Sequence, residues 1–188
     1  MLDFIHKYDV LVLSYLNELG SSLYDPVWLF ITKIYVWFPF FAILFYFALK
    51  DKKKQTIITF FVFGIIMLFF VLGLTELVKN TIVRVRPSNN PLLEGVFREV
   101  IHPTNYSFYS GHAASSVAIA TYFITLLKDS FKPIFILILW SILFAYSRLY
   151  FAVHYPSDIL IGALVGFITA RVFVRFVKKK LLKNSTNG

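Results

Sequence analysis

Apolar positions along this chain follow two patterns. From Pro26 onward, five long runs of mostly apolar residues are separated by polar breaks: Pro26–Leu49, Thr56–Val78, Gly111–Leu127, Pro133–Tyr150 and Ser157–Val177. A helix needs about 20 such residues to cross hydrocarbon, so each run predicts a transmembrane helix. The third run is short and rich in small residues (Ala113, Ala114, Ser115, Ser116, Ala118, Ala120), which let helices approach closely in lipid. The fifth carries Gly162 and Gly166 at GxxxG spacing, a pattern also common by chance. Residues 2–19 behave differently. At 100° per residue, Asp3, His6, Lys7, Ser14, Asn17 and Glu18 share one arc, while Leu2, Ile5, Val12, Leu13, Leu16 and Leu19 share the other. Asp9 and Val10 break this pattern. The segment predicts an amphipathic helix, lying on the membrane surface or packed on the bundle. Asp3 stands where a signal peptide would be basic, and no small-residue cleavage site follows.

The fold class predicted is therefore all-α. It is one domain over residues 1–188, with an interfacial helix (2–19), a bundle of about five transmembrane helices (26–177) and a basic tail (178–188). Composition agrees: 58% apolar, 15% charged, with 22 Phe, 11 Tyr and 3 Trp. Soluble domains carry about 25% charged residues, so a soluble globule, a disordered tail and a fibre are all disfavoured. The absence of cysteine excludes disulfides, thiolate catalysis and cysteine metal sites.

Net charge is +9, and its placement matters more than its size. Lys50, Lys52, Lys53 and Lys54 follow the first run; Lys128 and Lys132 follow the third; Arg171, Arg175, Lys178, Lys179, Lys180 and Lys183 close the fifth. With five spans these regions share one side, which the positive-inside rule makes cytoplasmic. The other side then faces the periplasm or exterior of a bacterial inner membrane, and it is nearly neutral. Charge sorted in this way argues against a nucleic-acid partner, for which basic residues would spread over an exposed face.

Three clusters fall at the outward ends of the predicted spans. The first runs from Lys79 through Arg84 to Arg86 and Pro87. The second is Ser110, Gly111 and His112. The third runs from Ser147 and Arg148 to His154 and Asp158. Lys79, Arg86 and Arg148 are three cations able to converge on one phosphate. Ser110 and Gly111 open a helix, where free N–H groups and the positive dipole end favour an anion. His112 and His154 offer a nucleophile and an acid, or an acid and a base. Asp158 lies about one helical turn after His154, and can hold one ring nitrogen while leaving the other free to attack. Such a set suits phosphoryl transfer with cations neutralising the phosphate.

Taken together, these motifs resemble the type 2 phosphatidic acid phosphatase superfamily, which also includes soluble bacterial acid phosphatases and vanadium haloperoxidases. The family signature is Lys, six residues, Arg-Pro; then Pro-Ser-Gly-His; then Ser-Arg, five residues, His, three residues, Asp. Here it reads Lys79 to Arg86-Pro87; Ser110-Gly111-His112; and Ser147-Arg148 to His154 and Asp158. One position departs: Tyr109 replaces the proline. The resemblance implies that His154 forms a phosphohistidine and Asp158 orients it. It implies that His112 protonates the leaving oxygen and then activates water. Lys79, Arg86, Arg148, Ser110 and the Gly111 N–H would hold the phosphate. It implies no metal or other cofactor.

Other polar residues keep two readings. Glu76 either orients Lys79 or is its structural partner. Lys33 either snorkels outward or reaches the substrate. Arg84 and Arg98 either anchor in headgroups or meet an anionic ligand. Trp28, Tyr35, Trp37, Tyr106, Tyr109, Tyr150 and Tyr155 fit an interfacial belt. The partner implied is a lipid phosphate within the membrane: undecaprenyl diphosphate, phosphatidylglycerophosphate, phosphatidic acid or lipid A 1-phosphate. The alternative function is a non-enzymatic anion or lipid transporter, or a binding protein. That reading has no use for His-x3-Asp beside Ser-Gly-His, and the spans show no evident inverted repeat.

Overall fold

The computed structural model describes residues 2–186, with side chains described for 6–183. Residues 187–188 of the predicted tail and the side chains of Leu2, Asp3 and Ile5 lie outside the described residues. Among the described residues seven α-helices follow one another: α1 (Leu2–Glu18), α2 (Asp25–Ile31), α3 (Phe38–Leu49), α4 (Lys54–Ile82), α5 (Gly111–Leu127), α6 (Ile136–Tyr150) and α7 (Pro156–Thr186). Among the described residues there is no strand.

The chain is an integral membrane protein. Among the described residues three helical stretches are each long and apolar enough to cross a bilayer: Lys54–Ile82, Lys132–Tyr150 and Pro156–Lys183. Their outer faces carry large exposed apolar side chains such as Phe69, Phe70, Leu139 and Leu164. Such a surface has no place in water but matches lipid. α5, at 17 residues, is shorter. It is the centre of the bundle and packs on α4, α6 and most extensively on α7.

The α5–α7 contact rests on the two glycines that looked incidental. A Cβ at Gly166 would lie 2.2 Å from the Ala114 carbonyl oxygen, and one at Gly162 would lie 2.5 Å from that of Ser110. Only glycine admits this approach. The GxxxG spacing thus places the start of α5 against the start of α7.

The first predicted span is broken. α2 and the following Ile34–Leu49 stretch meet at a 74° bend. Lys33 is extended (φ −88°, ψ 116°), and Pro39 sits in the first turn of α3. The carbonyl freed at Ile31 accepts from the Trp37 indole at 2.8 Å. The bend turns Thr32 inward, where its hydroxyl meets Ser147 and Arg148. Lys33 itself is exposed.

α1 is packed across α6 and α7 rather than set apart from the bundle. Its buried stripe is Asp9, Leu13 and Asn17, four residues apart, at 4%, 0% and 1% exposure. Val12 and Leu19, on the apolar arc, are exposed at the protein surface. The stripe that faces the bundle does not follow the apolar arc, because two of its positions are polar and hydrogen-bonded. The predicted aromatic belt is also only partial. Tyr35 and Tyr106 are exposed, but Tyr109, Tyr150 and Tyr155 are buried.

Candidate active site

Four helix ends meet at one end of the bundle: the C-termini of α4 and α6 and the N-termini of α5 and α7. Both C-termini stop at a non-glycine residue in the left-handed region, Val83 after α4 (φ 54°) and Ala152 after α6 (φ 49°). That conformation costs about 1–2 kcal/mol. It is held at Val83 by an N–H bond back to Lys79 O (3.0 Å), and at Ala152 by complete burial and a bond from Ser88 N–H (3.1 Å). These turns carry Arg84 and Arg86 off one helix and His154 off the other.

The motifs converge on a cavity of about 490 Å³. Lys79, Arg86, Gly111, His112, Arg148 and His154 line it, so six of the eight predicted site residues share one wall. Asp158 stands behind His154, fully buried. Ser110 is also fully buried, as the N-cap of α5, accepting from Ala113 N–H at 3.4 Å. Its own N–H donates to the Asp158 carbonyl at 3.1 Å, which pins α5 to α7. Tyr109, at the departed proline position, packs in the main core.

The three cations are buried, at 6%, 3% and 7% exposure for Lys79, Arg86 and Arg148. None forms an ion pair among the described residues. Arg86 is held by neutral acceptors: Asn105 O (2.8 Å), Asn105 Oδ1 (2.7 Å) and Val153 O (2.6 Å). Burial lowers its pKa to about 10, which leaves it charged at neutral pH. Arg148 donates through Nη1 to Thr32 Oγ1 at 2.8 Å, and its buried Nε has no partner.

His154 Nε2 lies 3.1 Å from Arg86 Nη1. A guanidinium can only donate, so Nε2 accepts and the ring proton sits on Nδ1. Nδ1 faces Asp158 Oδ2 and Ser107 Oγ, each at 3.5 Å. Ser107 donates in turn to Asp158 Oδ2. Burial pushes the His154 pKa down to about 3; Arg86 and Arg148 add to the depression, while Asp158 opposes it. The ring is therefore neutral, with its Nε2 lone pair directed at the cationic cavity. His112 stacks on Phe144, with ring centroids 4.7 Å apart, and offers a second imidazole in the same space. A neutral nitrogen nucleophile, three cations and a second imidazole can attack a phosphorus centre, stabilise its oxygens and move a proton.

Sequence reasoning missed Ser107, Thr32 and Asn105, which hold Asp158, Arg148 and Arg86 in turn. It also read Arg84 as a headgroup anchor or a contact for an anionic ligand, where the structure pairs it with carboxylates. Arg84 points away from the cavity and bridges Asp158 (2.6 Å) and Asp9 (2.7 Å). Arg98 likewise pairs with Asp25 at 2.7 Å.

A second, apolar cleft of about 660 Å³ runs between α3, α4 and α5. It meets the polar cavity at Ile34, Leu68 and Ile119, which line both, and it ends near Leu49 and Lys50.

Comparison with known proteins shows which family these residues belong to. A family profile described as PAP2 superfamily matches residues 60–182. A lipid A 4'-phosphatase of Bacteroides thetaiotaomicron is 28% identical over 96% of this chain and 81% of its own length. An undecaprenyl-diphosphatase of Sulfolobus acidocaldarius is 39% identical over 70% of this chain, spanning 59% of that relative. Among solved structures, the PAP2-type phosphatidylglycerolphosphate phosphatase of Bacillus subtilis superposes with a TM-score of 0.73. It is 19% identical and covers 93% of this chain and 87% of its own. Aquifex aeolicus LpxE gives 0.61 at 27% identity, covering 87% of this chain and 93% of its own.

Proposed function

This chain belongs to the PAP2 superfamily, and from that premise we propose that it is a membrane lipid phosphatase working through a phosphohistidine on His154, without a metal. His154 Nε2 attacks phosphorus, and the bond from phosphorus to the lipid oxygen breaks. His112 gives its proton to that oxygen. It then takes a proton from water, which attacks phosphorus, breaks the P–N bond and frees inorganic phosphate. Lys79, Arg86, Arg148 and the Gly111 N–H stabilise the phosphate oxygens throughout. Asp158 holds Nδ1–H and so keeps the attacking tautomer. Ser110 completes the cradle by fixing the start of α5.

The observation that carries the lipid reading is the junction of two cavities. The cationic chamber opens at Ile34, Leu68 and Ile119 onto a cleft walled by Phe38, Phe41, Phe45 and Phe61. A phosphate in the first leaves a hydrocarbon chain free to lie in the second. The relatives' names supply the candidates: undecaprenyl diphosphate, phosphatidylglycerophosphate and a lipid A phosphate, with phosphatidic acid as the simplest member. The Lys- and Arg-rich helix ends opposite the site support a cytoplasmic C-terminus, and hence a site facing the periplasm or exterior of a bacterial inner membrane.

Purified protein assayed for phosphate release across those lipids, at a matched detergent ratio and with EDTA, tests this. Release with EDTA, blocked by vanadate, is expected. Activity lost to EDTA would sink the metal-free step, and no release from any lipid would sink the function.

A further inference from the structure

We propose that Asp9, on the N-terminal helix, is a positioning residue of the phosphoryl-transfer site, acting through Arg84 to keep the Asp158 carboxylate available to His154. The proposal rests on the role read for His154 above. Asp9 is the residue that broke the amphipathic pattern of α1, and it is 4% exposed. A carboxylate so buried requires partners. It has three: Arg84 Nη2 at 2.7 Å, Ser157 N–H at 2.9 Å and the Ser157 hydroxyl at 2.5 Å.

Arg84 sits between two carboxylates. Its Nη1 meets Asp158 Oδ1 at 2.6 Å and Ser157 Oγ at 2.8 Å, while Nη2 meets Asp9. The other Asp158 oxygen, Oδ2, accepts from Ser107 and from Tyr155 N–H (2.9 Å) and faces His154 Nδ1. With Arg84 alone, Asp158 would be a neutralised pair. Such a pair attracts little of the positive charge that builds on His154 as Nε2 bonds to phosphorus. Asp9 changes the count: two carboxylates around one guanidinium leave a net charge of −1 behind the nucleophile. It also occupies the second arm of the guanidinium fork, so Arg84 cannot turn fully onto Asp158. The Ser157 N–H that Asp9 accepts belongs to the first turn of α7. Both carboxylates thus lie at the positive end of the helix that carries Asp158.

The competing explanation is that Asp9 only docks α1. The same stripe supplies the control. Asn17 is 1% exposed and equally engaged, donating to Tyr150 O (2.8 Å) and Arg98 O (3.2 Å) and accepting from Arg98 N–H (2.7 Å). Nothing it bonds touches Asp158 or His154.

The test uses the full chain in detergent micelles. Phosphate release from dioctanoyl phosphatidic acid, vanadate affinity by calorimetry and the melting temperature are measured for each variant. Asp9→Asn should lower kcat about tenfold with KM nearly unchanged, and should weaken vanadate about tenfold, the low end of what partners behind a reacting group contribute. Asp9→Glu, which keeps the charge, should restore most of both. Asn17→Ala should lower the melting temperature while leaving kcat and vanadate affinity intact. Equal kcat and equal vanadate affinity in Asp9→Asn and Asn17→Ala would overturn the proposal. If wild-type protein binds vanadate but releases no phosphate from any lipid, the lipid reading fails and the vanadate comparison alone decides on Asp9. Should Asp9→Asn not fold, Arg84→Lys replaces it, since it keeps the charge but loses the fork; undiminished kcat and vanadate affinity there would overturn the proposal equally.

Discussion

Five cations cluster at the site end of the bundle, and they divide by their company. Arg84 and Arg98 face away from the cavity and are met by carboxylates: Asp9 and Asp158 for the first, Asp25 for the second. Lys79, Arg86 and Arg148 line the cavity and make no ion pair among the described residues, although they are the more deeply buried. Taking a charge out of water costs several kcal/mol even after relaxation. Three such cations share one chamber with a single carboxylate, Glu76, so the chamber keeps excess positive charge that suits something anionic. The paired cations hold the frame; the unpaired ones are the set proposed above to hold phosphate.

His154 sits between the two groups, with Nε2 against Arg86 and Nδ1 toward Asp158, the partner of Arg84. Its removal is therefore expected to have the largest effect. His154→Ala should reduce phosphate release by about four orders of magnitude or more, as for other nucleophiles that act as part of a unit. Measured turnover within about a hundredfold of wild type would mean that the nucleophile lies elsewhere. Next comes a cation of the unpaired set. Arg148→Met should lower kcat/KM by about 10²–10³, the loss typical of one charge-stabilising donor. Its melting temperature should hold or rise, because a costly buried charge is gone. A fall in both quantities would erase the distinction drawn above.

The paired set should respond in the opposite sense. Arg84→Met leaves Asp9 and Asp158 facing each other without their shared cation. Breaking one partner out of a buried pair costs about 3–5 kcal/mol, and the 22% exposure of Arg84 argues for the lower end. The check is chemical or thermal unfolding in detergent, with Arg148→Met measured beside it. Stability loss in Arg148→Met equal to that in Arg84→Met would break the comparison.

How much of this was legible in the sequence depended on range. The three motifs were legible because each places reactive residue types a few positions apart, at the ends of apolar runs. The helices α4 to α7 were legible because hydropathy alone marks them; the third run matches α5 at both ends. The 74° bend was not, since Thr32 is turned inward by Arg148 and Ser147, more than a hundred residues away. The true inward stripe of α1 was hidden for the same reason. Asp9 and Asn17 count as polar in any periodicity, and their partners Arg84 and Tyr150 lie 75 and 133 positions along the chain. Ser107 left no trace at all, because one serine in a loop has no pattern to stand out from.

The smallest expected effect is the most demanding test of the division. Arg98 is the outermost of the paired cations, 30% exposed, with Nη1 close to both oxygens of Asp25 (2.7 and 2.8 Å) and its guanidinium over the Tyr150 ring at 4.9 Å. If it is removed, Asp25 keeps a bond from the Tyr150 hydroxyl at 2.8 Å, so the carboxylate is not stranded as Asp158 would be. Solvent also screens what remains. A double-mutant cycle over Arg98→Met and Asp25→Asn should therefore give a coupling of about 1 kcal/mol or less in stability. Neither variant should shift kcat for a lipid phosphate by more than about twofold, since additivity holds between sites without shared partners. A coupling visible in kcat but not in the melting temperature would move Arg98 out of the frame and into the binding set. The line between the two groups would then follow distance from phosphate rather than the presence of a carboxylate.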